Sequence, residues 1–163
     1  MSVDEVLSRI EPYRCQLVEI TGGEPLLQKE VYALIDRLLE RGYKILIETS
    51  GNLSVKDLDK RVIKIMDLKC PASGEAEHND YSNIEHLTAQ DEIKFVIADR
   101  PDYLWAKKTM QRFSLPEKVT VLFSPVYQTL DPERLAAWIL EDSLPVRMQL
   151  QMHKVIWGDR RGV

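Results

Sequence analysis

The sequence predicts an α/β fold built on a mostly parallel sheet, and three observations carry that reading. Apolar residues switch repeatedly between strand-like runs and helical spacing along the chain. The strand-like runs are apolar almost throughout, as expected for strands covered on both faces. Polar and special-geometry residues gather where those runs end. Alternating strands and helices imply parallel pairing with right-handed crossovers. At 163 residues, a single domain spanning the whole chain is expected. An open doubly wound sheet and part of a (β/α) barrel both fit. A complete barrel takes about 250 residues. At about 30 residues per unit, this chain holds about five to six.

The elements follow in order. Val3, Val6, Leu7 and Ile10 lie at helical spacing, with Ser2 as N-cap and Glu5 completing a capping box. QLVEIT (16–21) is a β-rich run. QKEVYALIDRLLERG (28–42) is an amphipathic helix with Val31, Leu34, Ile35, Leu38 and Leu39 on one face, ended by Gly42. KILIET (44–49) is a strand, VKDLD (55–59) at most a short helix, and VIKIMDLK (62–69) a strand broken at Pro71. CPASGEAEHNDYSN (70–83) is polar and reads as a loop, long enough to be functional. DEIKFVIA (91–98) is a strand, and residues 99–113 pass from turn to helix. KVTVLFSPV (118–126) is a strand. Residues 131–142 form a helix with Asp131 as N-cap and Pro132 at its first position. VRMQLQM (146–152) is the last strand.

Net charge is −4, which argues against a general nucleic-acid binder. No apolar run approaches the roughly 20 residues of a membrane span. The amphipathic, acidic N-terminus is unlike a secretory signal, and a cytoplasmic protein is expected. The only thiols are Cys15, expected to be partly buried, and Cys70. They are too far apart in sequence for a zinc pair and too few for an iron–sulfur ligand set. His78, His86 and His153 form no metal-spaced pair. Trp105, Trp138 and Trp157 suit helix faces or a terminal anchor.

In either architecture, ligands meet the carboxyl ends of the strands. The first strand ends in Thr21-Gly22-Gly23-Glu24-Pro25. The glycines let a ligand approach the backbone, exposed N–H groups of such a turn take anions, and Glu24 could take an ammonium. Together they suit a zwitterion, while a plain strand-to-helix turn with a surface acid carries comparable weight. Glu48 ends the second strand, where a carboxylate can grip two N–H donors of an amidine-like edge. A surface acid on the rim is the plainer alternative. Asp67 and Lys69 end the third strand and could pair with each other. Lys94 lies in the fourth, with Asp99 at its end. Gln149, Gln151 and His153 stand at the end of the last.

These residues together resemble a known family. VEITGGEPLLQ, ETSG, DLKCPASG, IKFVI, SPV and the tail LQMHKVIWGDRRGV are similar, in order, to the 7-carboxy-7-deazaguanine synthases of the radical S-adenosylmethionine superfamily. GGEP points to the superfamily and the tail to the family. The resemblance implies a partial (β/α) barrel. It implies ring contraction of 6-carboxy-5,6,7,8-tetrahydropterin to 7-carboxy-7-deazaguanine with loss of ammonia, a step toward queuosine. S-adenosylmethionine, a [4Fe–4S] cluster and Mg2+ are the implied cofactors. A homodimer is implied, with an electron donor such as flavodoxin and no nucleic-acid or membrane partner. By position, Gly22, Gly23 and Glu24 resemble the turn holding the amino group of S-adenosylmethionine. Asp67, Leu68 and Lys69 resemble its ribose contact, and Lys94, Phe95, Val96 and Ile97 the adenine side. Thr21, Glu48, His153 and the Val163 carboxylate resemble contacts to the pterin.

The family's CxxxCxxC motif is absent from these residues, and Cys15 and Cys70 do not replace it. The expected domain is therefore a radical S-adenosylmethionine core without its leading cluster-binding β/α unit, exposing an apolar sheet edge. Turnover by this chain alone is not expected. The alternatives are a non-catalytic module that binds S-adenosylmethionine or a pterin, and a related radical enzyme with another substrate.

Overall fold

A computed structural model describes residues 1–158 and Arg160. Six parallel strands form one sheet: β1 (Leu17–Ile20), β2 (Lys44–Thr49), β3 (Ile63–Asp67), β4 (Glu92–Ile97), β5 (Thr120–Pro125) and β6 (Arg147–Met148). Their spatial order is the order of the chain, without a reversal. Right-handed crossovers that always advance in one direction place their connecting segments on one side of the sheet. A doubly wound sheet would reverse its order to place helices on both sides. The arrangement is therefore that of an opened (β/α) barrel.

The helices are α1 (Val3–Ile10), α2 (Glu30–Glu40), α3 (Arg100–Arg112), α4 (Pro132–Glu141) and α5 (Met152–Trp157). Ser2 and Glu5 form the expected capping box at α1, with Ser2 N donating to Glu5 at 2.7 Å and Glu5 N to Ser2 Oγ at 3.2 Å. At the end of α2, Gly42 takes φ +78°. Tyr43 N donates to Leu38 O and Gly42 N to Leu39 O, both at 3.0 Å, which satisfies carbonyls the helix leaves open. Asp99 and Asp131 cap α3 and α4, accepting from Asp102 N and Glu133 N, each at 2.9 Å.

The strand register sorts the two faces. Ile47 pairs with Lys64, Thr49 with Met66, Met66 with Ile93, and Phe95 with Phe123. Neighbours in register share a face. On this face Leu7 of α1 and Val31, Ile35 and Leu38 of α2 pack against Ile45 and Ile47. Tyr103, Ala106 and Met110 of α3 and Leu135 of α4 pack against Met66, Ile93, Phe95 and Phe123. The other face carries Glu48 against Ile65, Ile65 against Glu92, Asp67 against Lys94, and Val96 against Ser124. The expectation of strands apolar on both faces is thus corrected. One face is core, and the other is mixed polar.

Residues 55–59 form turns, within the expectation of at most a short helix, and Val55, Leu58 and Val62 are buried. Three further expectations change. The 70–83 stretch is not a plain loop. It winds through 3-10 turns at Pro71–Ser73, Ala76–His78 and Tyr81–His86. The last strand pairs only at Arg147 and Met148, because it has β5 alone as neighbour. The chain then leaves the sheet, and Met152–Trp157 is helical. Cys15 is exposed, and so is Trp157. β1 is an edge strand whose Leu17 is half exposed.

Where β2 leaves the sheet, Gly51 takes φ +74° with its Cβ position 2.6 Å from Asp67 O. Gly51→Ala therefore combines a left-handed backbone with a collision against main chain, and should cost at least ~2 kcal/mol. Gly74, at φ +76°, has nothing within 4 Å of its Cβ position. Gly74→Ala should lose about half as much. Urea denaturation of both variants checks the ranking, and equal midpoints would refute it.

Candidate functional site

The turn after β1 is shaped by its glycines. Gly22 and Gly23 take φ +96° and +57°, and a Cβ at either would meet nothing within 4 Å. Their requirement is conformational, and it leaves bare backbone open to approach. Glu24 follows, and its carboxylate is fully engaged. It accepts from Leu26 N at 3.1 Å, from Thr49 Oγ1 at 2.9 and 3.0 Å, from Ser50 N at 2.6 Å, and from Ser50 Oγ. It staples the β1 exit to the β2 exit. Burial pushes the Glu24 carboxyl up, but the hydrogen bonds from Ser50, Leu26 and Thr49 outweigh it and hold it below its ordinary range. The carboxylate that the sequence offers to an ammonium thus also builds the turn.

On the polar face a chain of charges crosses three strands. Thr21 Oγ1 donates to Glu48 Oε2 at 3.2 Å, and Lys94 Nζ lies 3.0 Å from Glu48 Oε1. Lys94 Nζ is also 3.2 Å from Asp67 Oδ1, and Lys69 Nζ is 2.7 Å from Asp67 Oδ2. The Lys94 side chain is 13% exposed. Burial alone would lower its ammonium, but Asp67 and Glu48 outweigh that and hold it above its ordinary value. Glu19 lies on the same face two residues before Thr21. Burial first, and then Glu48, raise its carboxyl.

Beside this chain lies a cavity of about 560 Å³. The exits of β3 and β4 line it with Asp67, Leu68, Lys69, Val96 and Ala98, and Gln151 closes one side. Of the expected residues, Asp67, Leu68, Lys69 and Val96 therefore share one wall. Lys94, Glu48 and Thr21 join it through the charge chain, and Gly22 to Glu24 through Thr49 and Ser50. Phe95 and Ile97 do not join it by their side chains, which are fully buried in the helix-covered core. The strand period sends them to the opposite face from Lys94 and Val96. His153 is not at a strand end. It is exposed on α5, two residues past Gln151. Val163 lies outside the described residues.

The chain is 44% identical over 167 residues to the 7-carboxy-7-deazaguanine synthase of Chlorobaculum tepidum, covering 100% of the chain and 76% of that protein. It is 45% identical over 172 residues to the synthase of Koribacter versatilis, covering 96% and 76%. The chain belongs to the 7-carboxy-7-deazaguanine synthase family. Among solved structures, QueE from Escherichia coli superposes with a TM-score of 0.70 at 22% identity, over 91% of this chain and 64% of that one. Streptococcus suis SuiB bound to S-adenosylmethionine gives 0.62 at 12%, over 93% and 42%. At those identities the likeness is one of fold. No protein-family model matches the chain.

The thiols present in this synthase-family chain do not fit an iron–sulfur cluster. Cys15 precedes β1 and Cys70 follows β3, so they stand at opposite ends of a parallel sheet. Cys70 is buried, and burial together with Asp102 pushes its thiol up, away from the thiolate a cluster needs. No group of His, Cys, Asp and Glu among the described residues is placed to hold a metal ion.

Sequence reasoning missed Thr49 and Ser50 as the partners of Glu24, Asp102 in the cavity wall, and Asn79 and Asn83 beside the strand exits. Thr49 and Ser50 could have been found as hydroxyls adjoining Glu48. Asn79 and Asn83 sit in a polar stretch with no periodic signal, and Asp102 lies in the first turn of α3, where helical spacing marks no site.

The Glu24 geometry carries a pH dependence. Its folded carboxyl lies below the ordinary 4.5, so its contribution to stability is complete above that pH. The contribution is lost as pH falls through the folded value. The stability difference between the wild type and Glu24→Gln should be about 1.5–3 kcal/mol at neutral pH, the range for hydrogen bonds to a charged group. It should shrink below pH 4.5. Denaturation midpoints across that window test this, and a constant difference would contradict it.

Proposed function

We propose that this chain provides the S-adenosylmethionine and pterin sites of a 7-carboxy-7-deazaguanine synthase, which contracts 6-carboxy-5,6,7,8-tetrahydropterin to 7-carboxy-7-deazaguanine with loss of ammonia. The observation that carries the reading is the charge chain Glu48–Lys94–Asp67–Lys69, which abuts both the Gly22-Gly23 turn and the cavity. The solved SuiB complex with S-adenosylmethionine, alike in fold, supports a site for that cofactor here.

When bound, S-adenosylmethionine supplies the radical that begins the chemistry. The residues of this chain bind and orient. Backbone N–H groups at Gly22 and Gly23 suit its carboxylate. Asp67 and Lys69 face the cavity where a ribose would sit, and Val96 with the β4 backbone offers an apolar wall to the adenine. Glu48 keeps unused lone pairs on both oxygens and suits the amidine-like edge of the pterin. Thr21 holds it from one side and Lys94 from the other. His153, exposed near Gln151, is the second pterin contact in this proposal. Cluster and Mg2+ chemistry is assigned to no residue described here. The proposed setting is one cytoplasmic radical S-adenosylmethionine core-like domain that pairs as a homodimer and is served by a flavodoxin-like donor. The net charge of −4 is in keeping with neither nucleic acid nor membrane being a partner.

Calorimetric titration tests the reading. The wild-type chain should bind both S-adenosylmethionine and the pterin. Glu48→Gln should weaken the pterin about tenfold, or ~1.4 kcal/mol, with a smaller effect on S-adenosylmethionine. Unchanged pterin affinity in both Glu48→Gln and His153→Ala would remove these residues from the pocket.

A further inference from the structure

The ladder that aligns the strands stops before the site begins. Thr49 and Met66 are the last register pair of β2 and β3, and Leu68 N to Lys94 O, at 2.9 Å, is the last main-chain bond on the other side of β3. Past those points the main-chain pairing ends: the β2 exit bears Ser50, which Glu24 of the β1 exit grips, and the β3 exit bears Lys69. What joins them is a stretch from another part of the chain. Asn79 grips Lys69 on both sides of its Cα: Lys69 N donates to Asn79 Oδ1 at 2.8 Å, and Asn79 Nδ2 donates to Lys69 O at 3.0 Å. The same amide also donates to Ala76 O at 2.9 Å. Asp80 N donates to Gly51 O at 3.1 Å. Asn83, fully buried, donates to Gly51 O at 3.3 Å and Leu53 O at 2.8 Å, and accepts from Val55 N at 2.9 Å.

The geometry points to residues 79–83 as a clip between the two exits, with Asn79 the positioning residue that holds Lys69 and the cavity wall at their working distance from the Gly22–Glu24 turn. This rests on the S-adenosylmethionine reading above. That cofactor is long, with a zwitterion at one end and a nucleoside at the other, so it reads the separation of the two exits. Its nucleoside half alone still reads the Lys69 exit that Asn79 holds, and its amino-acid half reads only the Gly22–Glu24 turn. Asn79 touches no ligand. It acts by denying the Lys69 peptide any other orientation. An amide is needed because the Lys69 N–H requires an acceptor and its C=O a donor from one side chain.

The two halves of the cofactor separate this from general loosening of the fold. The 163-residue chain and Asn79→Ala are titrated with S-adenosylmethionine, 5′-methylthioadenosine and L-methionine, with thermal melts run alongside. Asn79→Ala should lose about tenfold in affinity for S-adenosylmethionine and for 5′-methylthioadenosine, and keep that for L-methionine. Equal losses for all three ligands would mean a merely structural role and overturn the proposal. So would unchanged affinities. If the wild-type chain binds none of the three, the cofactor reading itself fails and takes this one with it. Should Asn79→Ala not fold, Asn79→Asp keeps the acceptor for Lys69 N and loses the donor to Lys69 O. The same ranking with smaller losses is then expected, and no ranking overturns the proposal.

Discussion

One ammonium group holds the polar face of this sheet together. Lys94 Nζ sits between Glu48 of β2 and Asp67 of β3, and Asp67 in turn takes Lys69. Taking a charge out of water is costly unless it is paired. Two carboxylates and two ammonium groups cancel, so the chain can lie in a partly buried cleft without a net charge to solvate. Glu19 shows the limit of that balance. It adds a further acid to the same face, and burial first, then the Glu48 charge, push its carboxyl toward the neutral form against the pull of Lys94. Removing Lys94 would leave Glu48 and Asp67 on adjacent strands with a single ammonium to share. The register of the sheet thus sets the electrostatics of the site.

The sheet order explains why the charges can be there at all. A reversal would have brought helices over both faces, and a Glu, an Asp and a Lys in facing positions would have been buried beneath them. Without a reversal, the helices and both core clusters stay with Ile47, Met66, Ile93 and Phe123. The opposite face is free to carry polar groups. The Lys64–Asp91 pair marks the exception. It lies on the core face with both side chains almost wholly buried, and the two partners are 3.1 Å apart. Asp91 also accepts from Lys64 N at 2.8 Å and Thr88 N at 2.7 Å. The connection there, residues 50–62, contains no helix to supply apolar cover. A neutralised, hydrogen-bonded pair fills the position instead.

What the sequence made legible follows from what is local. Helix caps such as Ser2 and Asp131 act within a few residues, and each was readable in place. The GGEP turn was readable because its residue types have no other common use together. The faces of the strands were harder. In KILIET, the alternation of Ile45, Ile47 and Thr49 against Leu46 and Glu48 is masked because both sets are largely apolar. The run looked covered on both sides when only one side is. QLQMHK failed differently. Its alternation suits a strand, but β6 has one neighbour and pairs for two residues before the chain turns into α5. His153 moved with it. Asn79 and Asn83 were invisible because their partners, Lys69 and Gly51, are ten or more residues away and are main-chain atoms. No side-chain pattern records them.

The acid in the GGEP turn can now be understood from its donors. Leu26 N, Ser50 N, Ser50 Oγ and Thr49 Oγ1 all point hydrogens at Glu24. A glutamine would present one oxygen and one NH2 group, and the NH2 would face donors. A shorter aspartate would not span the gap between the β1 and β2 exits with the same reach. An acceptor on both branches, at glutamate length, is what the arrangement requires. The glycines before it keep the backbone in left-handed conformations that turn the strand toward this junction, and Pro25 starts the 3-10 turn that Glu24 caps. The turn is therefore specified by how two strand exits must be fastened. Its capacity to receive a charged guest lies in the bare backbone that this fastening leaves exposed.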